Sequence, residues 1–162
     1  MAITWEEYFM GIAVLSSKRS KDPRTKSGAC IVDADKIIMG VGYNGAPRGW
    51  NDAVFPWGGG EGGAGHKAID GDVFNQKYPY VIHAELNAIL NSRTRDLRGC
   101  TIYATLFPCN ECTKAIAQSG IKRIIYLSDK YPDADSTKAA KKICDVLGIR
   151  HEKFKGEVYV RD

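Results

Sequence analysis

Two short runs of this chain carry side chains that can hold a metal ion and move protons. One reads His-Ala-Glu from position 83, and the other reads Pro-Cys-Asn-Glu-Cys from position 108. His83, Cys109 and Cys112 offer three zinc ligands. A structural zinc site normally has four protein ligands, whereas a catalytic site leaves the fourth position to water. Zinc lowers the pKa of bound water to about 7, and Glu85 can then carry protons, so these residues predict a water-activating zinc enzyme.

The spacing within each run says how a helix would present these side chains. Cys109 and Cys112 stand at i and i+3, so both sulfurs face one ion if they lie on the first turn of a helix. A helix amino terminus also favours thiolates. His83 and Glu85 are two residues apart and would diverge around a regular helix. We therefore expect the first turn of their helix to lie across the site.

The elements that must position these runs alternate between strand and helix patterns. An opening hairpin followed by alternating strands and helices predicts an α/β fold with three layers, α/β/α, around a mixed sheet of about five strands. The two helices that carry the zinc ligands should lie side by side on one face. The predicted helices span residues 4–18, 80–91, 109–119 and 134–147, and the predicted strands span residues 28–32, 36–41, 100–106, 121–127 and 149–154. Residues 157–162 alternate weakly and are expected to pair at an edge.

The first helix has a clear start and an apolar stripe. Thr4 and Glu7 match a capping box. Trp5, Tyr8 and Phe9 fall at helical spacing on one face, which predicts that they pack in the core.

Residues from about 49 to 79 break the periodic pattern and predict a glycine-rich insertion. Five of the seven residues that follow Trp57 are glycine, and no Gly-Lys-Ser/Thr follows to make a phosphate loop. His66 lies among these glycines. It is either a further metal ligand or an exposed side chain, and the second interpretation is favoured for a lone histidine.

Length and composition describe an ordinary globular chain. The 162 residues predict a single domain, with 44% hydrophobic and 26% charged residues. No signal peptide or long apolar run is present, and the five cysteines are odd in number, which predicts a cytoplasmic protein with reduced thiols and no membrane partner. Cys30, Cys100 and Cys144 are expected to be packing residues. The net charge of +4 is too mild to indicate nucleic-acid binding by itself.

The two runs together form the signature of the zinc nucleobase deaminases, whose glutamate serves as acid and base. The chain resembles the cytidine deaminase superfamily, and within it the deoxycytidylate (dCMP) deaminases. The narrower resemblance is carried by residues 20–23 (SKDP), 42–45 (GYNG), 80–81 (YV), 83–90 (HAELNAIL), 106–112 (LFPCNEC) and 128–131 (SDKY).

The resemblance implies that dCMP and water give dUMP and ammonia, feeding thymidylate synthesis. Hydroxide would attack carbon 4 of cytosine, while Glu85 would carry protons to the ring nitrogen and the departing ammonia. Asn44 would hold the deoxyribose hydroxyl, and Arg24 and Tyr131 would bind the 5′-phosphate. Ala84 would lie against the substrate. A guanidinium also binds phosphate oxygens bidentately on general grounds, which favours Arg24 independently.

The same resemblance implies regulation and assembly. Many dCMP deaminases are hexamers activated by dCTP and inhibited by dTTP, with the effector and its Mg²⁺ near the turn that contains Gly42, Tyr43 and Gly45. The sequence leaves open whether this control is retained and whether dCTP is also a substrate.

Two other interpretations remain at the level of sequence. A deaminase that acts on a base within tRNA uses the same zinc ligands, and the basic residues near position 20 would suit RNA. A zinc-stabilised interaction module without catalysis would need a fourth protein ligand, which only His66, His151 or a remaining cysteine can supply.

Overall fold

A computed structural model describes residues 1–57 and 73–161 of the chain. Its helices are α1 (Trp5–Ser17), α2 (Ala84–Asn91), α3 (Asn110–Ser119) and α4 (Asp135–Leu147), with a short 3-10 helix at Val73–Asn75. Its strands are β1 (Gly28–Val32), β2 (Ile38–Tyr43), β3 (Thr101–Leu106), β4 (Arg123–Ser128) and β5 (Arg150–Lys153). The strands form one sheet in the order β2-β1-β3-β4-β5. β1 pairs antiparallel with β2 and β3, while β3, β4 and β5 run parallel. The predicted mixed sheet of five strands is confirmed.

Both faces of the sheet are covered, so the three-layer prediction is also confirmed. Successive residues of a strand point to opposite faces, and on β1 Cys30 joins a cluster with Phe9 of α1 while Ile31 joins a cluster with Ala88 of α2 and Ile116 of α3. The second cluster also contains Cys100 and Cys144. All three cysteines outside the predicted metal site are therefore buried, as expected.

Helix α1 begins as predicted but presents a different face to the sheet. Thr4 Oγ1 accepts from the Glu7 amide and Glu7 Oε1 accepts from the Thr4 amide, both at 3.1 Å, which completes the capping box. Trp5 and Tyr8, however, are 56% and 41% exposed, so their predicted place in the core is wrong. A Cβ on Gly28 of β1 would lie 1.9 Å from the Ala13 carbonyl oxygen. The helix approaches β1 most closely at Ala13, and the side it presents to the sheet carries Phe9, as predicted, while Trp5 and Tyr8 lie outside the core.

Helix α2 packs closely against the edge strand β2. A Cβ on Gly40 would lie 2.2 Å from the Ala88 oxygen, and one on Gly42 would lie 2.4 Å from the Ala88 nitrogen. Asn87 Nδ2 donates to the Tyr43 oxygen and Asn91 Nδ2 donates to the Val41 oxygen, both at 2.8 Å. These contacts fix the height of α2 above the sheet, and α2 begins beside His83.

The carboxyl-terminal tail does not add a strand. Within the described part of the chain, residues 154–161 form no strand, so the expected edge pairing is wrong. The Glu157 amide instead donates to Glu7 Oε2 at 3.0 Å, which ties the tail to the start of α1.

None of the helices in residues 1–57 and 73–161 is long and apolar enough to cross a bilayer.

Candidate active site

A pocket of about 430 Å³ lies at one edge of the sheet. The carboxyl ends of β2, β3 and β4 meet at this edge with the start of β1, as the register of the strand pairs requires. In sheets of this kind, ligands bind in the crevice beyond the carboxyl ends of the strands. The Pro-Cys-Asn-Glu-Cys run follows the end of β3 at this edge, and the His-Ala-Glu run reaches it through a bridge between Ile82 and Gly45.

His83 lies just before α2 rather than on its first turn. It is the N-cap of α2, with extended backbone angles of φ −71° and ψ 156°. The preceding residue, Ile82, exchanges two backbone hydrogen bonds with Gly45 at 2.8 and 3.0 Å. Because His83 is outside the helix, its side chain does not have to diverge from that of Glu85. Glu85 is 5% exposed and lines the same pocket.

Cys109 and Cys112 lie at the start of α3. The helix begins at Asn110, one residue later than predicted, and Cys109 is its N-cap. The Cys112 amide lies 3.5 Å from Cys109 Sγ, which caps the helix. Gly120 ends the helix in the left-handed conformation, as the sequence predicts. Both ligand runs therefore converge through helix N-caps.

The three donor atoms fit a zinc ion. His83 Nδ1 lies 3.4 Å from Cys109 Sγ and 3.6 Å from Cys112 Sγ, and all three donor atoms lie within 4.8 Å of one another. Zinc–sulfur and zinc–nitrogen bonds of about 2.3 and 2.0–2.1 Å at tetrahedral angles place nitrogen and sulfur about 3.6 Å apart. Among residues 1–57 and 73–161 this is the one such cluster of three or more candidate ligands, and His151 is not part of it. The donor set is that of an open catalytic site.

Burial and close charges shape the proton affinities in this cluster. Burial raises the pKa of the Glu85 carboxyl, against the opposing effect of nearby His83. A hydrogen bond with Cys109, followed by burial, raises the pKa of the Cys112 thiol in the protein alone. A bound zinc ion would lower the pKa of this thiol instead, because a coordinating thiol is deprotonated outright.

The residues predicted to bind substrate lie around the same pocket. Arg24, Asn44, Ala84 and Tyr131 all line it. Asn44 is 7% exposed and organises the neighbouring loop. Its Nδ2 donates to the Thr25 oxygen at 2.8 Å, and its Oδ1 accepts from the Ser27 amide at 2.8 Å.

The residues predicted to bind an effector are placed differently. Gly42, Tyr43 and Gly45 do not line this pocket. Gly42 is buried beneath α2, and Gly45 pairs with Ile82 through its backbone. His66 lies outside the described residues.

Sequence reasoning missed several pocket residues. Lys77 is 6% exposed, and its Nζ lies 2.6 Å from Oδ2 of Asp22. At the start of α4, Ser136 and Thr137 also line the pocket. Ser136 Oγ and Oδ1 of Asp129 are buried and have no hydrogen-bond partner among the described residues. The Asp-Ser-Thr run at the start of α4 was a visible signal for Ser136 and Thr137. No periodic pattern marked Lys77.

Comparison with known proteins assigns the chain to a family. The family model for the cytidine and deoxycytidylate deaminase zinc-binding region matches residues 3–128. Because this match covers most of the chain and includes every proposed zinc ligand, the chain belongs to the cytidine and deoxycytidylate deaminase family.

Within that family, the similarity is to deoxycytidylate deaminases. The human deoxycytidylate deaminase is 47% identical over 152 residues, covering 94% of this chain and 80% of the human protein. The deoxycytidylate deaminase of Mycobacterium phage D29 is 38% identical over 130 residues, covering 75% of this chain and 93% of the phage protein. The dCMP deaminase of cyanophage S-TIM5, solved in complex with dCMP and dUMP, matches with a TM-score of 0.70 and 29% identity, covering 95% of this chain and 99% of that one. The family predicted from the sequence is confirmed.

Proposed function

We propose that this protein is a zinc-dependent enzyme that deaminates dCMP hydrolytically to dUMP and ammonia. The observation that carries the proposal is the composition of a single pocket. It joins His83, Cys109 and the buried carboxyl of Glu85 to the basic side chains of Arg24 and Lys130, and Cys112 completes the donor set from behind the pocket wall. Deamination of cytosine requires the metal ligands and the carboxyl, and binding of a nucleotide phosphate requires the basic side chains. The similarity to deoxycytidylate deaminases supports the same substrate.

The proton steps fall to Glu85. Zinc, when held by His83, Cys109 and Cys112, supplies hydroxide at neutral pH by lowering the pKa of water to about 7. Glu85 takes the proton that this water loses and delivers it to the cytosine ring nitrogen. Hydroxide adds to carbon 4 in the same step. Glu85 then takes the proton of the new hydroxyl on carbon 4 and passes it to the amino group, so that the carbon–nitrogen bond breaks, ammonia leaves and carbon 4 becomes a carbonyl. Such transfers by a positioned side chain contribute about 10²- to 10⁴-fold to the rate.

Asn44 is proposed to bind the deoxyribose hydroxyl through its side-chain oxygen, Oδ1. The amide nitrogen of Asn44 already donates to the Thr25 oxygen and lies 3.4 Å from Asp22 Oδ2, so both of its donors face protein. A carbonyl oxygen has two lone pairs, and the Ser27 amide takes one. The other can accept a hydrogen bond from the deoxyribose hydroxyl. Arg24 and Tyr131 are proposed to bind the phosphate, with Ala84 beside the base.

The Glu85→Gln variant tests this function. It should bind one zinc ion and fold as the wild type does, yet release no ammonia from dCMP. Ammonia release should be assayed with dCMP and with a tRNA anticodon stem-loop. Wild-type turnover of the stem-loop but not of dCMP would reject the nucleotide assignment, and zinc binding without turnover of any cytosine or adenine substrate would favour an interaction module.

Regulation by nucleotides is proposed for the turn at residues 42–45. The support is its position: Asn44 lines the pocket, and Gly45 is bonded to Ile82 immediately before His83. We propose that dCTP with Mg²⁺ activates, that dTTP inhibits, and that the enzyme assembles as a hexamer in the cytoplasm. Titration of dCTP and dTTP at subsaturating dCMP tests the regulation, and flat kinetics would reject it. Sedimentation tests the assembly.

The length of phosphate chain that the pocket accepts is a separate question. We propose dCMP as the principal substrate, with dCTP as an additional one. A panel of dCMP, dCTP, CMP and deoxycytidine measures both preferences, and a kcat/KM for dCTP at the background level would exclude the additional activity.

A further inference from the structure

Lys77 and Asp22 form an ion pair that is almost completely shielded from water. Lys77 Nζ lies 2.6 Å from Asp22 Oδ2, and the two side chains are 8% and 2% exposed. Both residues line the pocket. Removing one partner of such a pair leaves an uncompensated buried charge, so the pair is coupled strongly.

The same carboxylate shapes the loop that follows it. Asp22 Oδ1 accepts from the Arg24 amide at 2.8 Å and from the Thr25 amide at 3.2 Å. Its second oxygen faces Lys77 and, at 3.4 Å, Asn44 Nδ2. The Asp22 carboxylate therefore fixes the backbone of Arg24 and Thr25 in the pocket wall, and Lys77 holds this carboxylate in place.

The backbone of Lys77 is tied to the other side of the site. Its carbonyl oxygen accepts from the Tyr80 amide at 2.9 Å and from the Val81 amide at 2.8 Å. Val81 lies two residues before His83, the first proposed zinc ligand. Lys77 thus links the loop that carries Arg24 to the segment that carries His83.

We infer that Lys77 is a positioning residue for the substrate phosphate, acting through Asp22 to hold the loop of Arg24 against the pocket. The inference rests on the proposed function, since it assumes that Arg24 meets a nucleotide phosphate. A flexible loop must be ordered each time substrate binds, and that ordering weakens binding. Lys77 removes this cost by fixing the loop beforehand.

The test is Lys77→Met, assayed for dCMP turnover and for competitive inhibition by dUMP. KM for dCMP and Ki for dUMP should rise together by about tenfold or more, while kcat stays within about threefold. Lys77→Arg, which keeps the charge, should recover most of the affinity. The matched control is Lys21→Met on the same loop, which breaks an exposed pair with Asp52 at 2.7 Å and should change KM by less than about twofold because exposed pairs contribute little.

The outcomes separate the explanations. A structural defect alone would reduce the fraction of active enzyme, so kcat would fall with KM and Ki unchanged, and this would overturn the inference. Unchanged kinetics in Lys77→Met would overturn it as well. If Lys77→Met does not fold, the double variant Asp22→Asn with Lys77→Met, which leaves no buried charge, carries the same test with the same expected rise. Absence of dCMP turnover by the wild type would instead refute the proposed function.

Discussion

Replacement of Gly42 by alanine should displace the helix that carries the proposed acid and base. A Cβ at this position would lie 2.4 Å from the Ala88 nitrogen and 2.5 Å from the Ala84 oxygen. Both atoms belong to the backbone of α2 and cannot rotate away. Ordinary contact begins near 3.4 Å, so α2 must move away from β2 by about 1 Å to relieve the closer approach.

Both stability and rate follow from this displacement. Overpacking of a core costs about 1–3 kcal/mol, which corresponds to a Tm lower by about 3–10 °C for a chain of this length. Glu85 lies on the first turn of α2, whereas Cys109 and Cys112 belong to α3 and would stay in place. A misplacement of about 1 Å in a catalytic site can cost about 10²-fold in rate.

The assay is thermal unfolding together with kcat for dCMP without effectors. Gly45→Ala is the matched control, because its Cβ would meet only the Tyr43 ring at 3.8 Å and its φ is not positive. It should keep the wild-type Tm and rate. A Gly42→Ala variant with wild-type Tm and kcat would refute the reasoning, since it would mean that the close approach of α2 to β2 does not constrain the site.

Three further outcomes are expected. Asn44→Ala should raise KM for dCMP and lower the free energy of unfolding by about 1–3 kcal/mol, because the partly buried Ser27 amide loses its acceptor; an unchanged urea midpoint would contradict this. Burial raises the pKa of the Cys30 thiol to about 12 and of the Cys144 thiol to about 11, so the unfolded chain releases these protons near pH 9 while the folded chain keeps them. The stability that they contribute is therefore complete below pH 9 and is lost as the pH rises towards 11 for Cys144 and towards 12 for Cys30; equal unfolding free energies at pH 8 and pH 10.5 would be inconsistent with it. Removal of zinc by a chelator should abolish turnover and lower Tm, because a ligand that binds only the folded state stabilises it, and added zinc should restore both.

The parts of this site that depend on residues close together in the chain could be predicted from the sequence. The two ligand runs, the strand that precedes Cys109 and the glycine cap of α3 were all readable, because metal ligands and caps depend on residues a few positions apart. The chemistry of a histidine, two cysteines and a glutamate then limited what the site can do.

Other features depend on contacts that no local pattern encodes. The Lys77–Asp22 pair joins positions 55 residues apart, and Lys77 lies in the stretch without periodicity. The exposure of Trp5 was missed because the spacing of apolar residues identifies a stripe without saying how closely the helix approaches the sheet. Here Gly28 sets that approach, and only the folded backbone reveals it.

The geometry of the metal site depends on the same kind of approach. His83 and Cys109 are the N-caps of two different helices, so the distance between their donor atoms follows from where α2 and α3 rest on the sheet. α2 rests on the glycines of β2, and its start is held by the backbone pairing of Gly45 with Ile82. The Gly-Tyr-Asn-Gly turn therefore has two roles in the site. Gly42 allows the close approach of α2, and Gly45 holds Ile82, the residue before the zinc ligand His83. A position that the sequence associates with an effector is, by its contacts, also part of the framework that sets the catalytic distances.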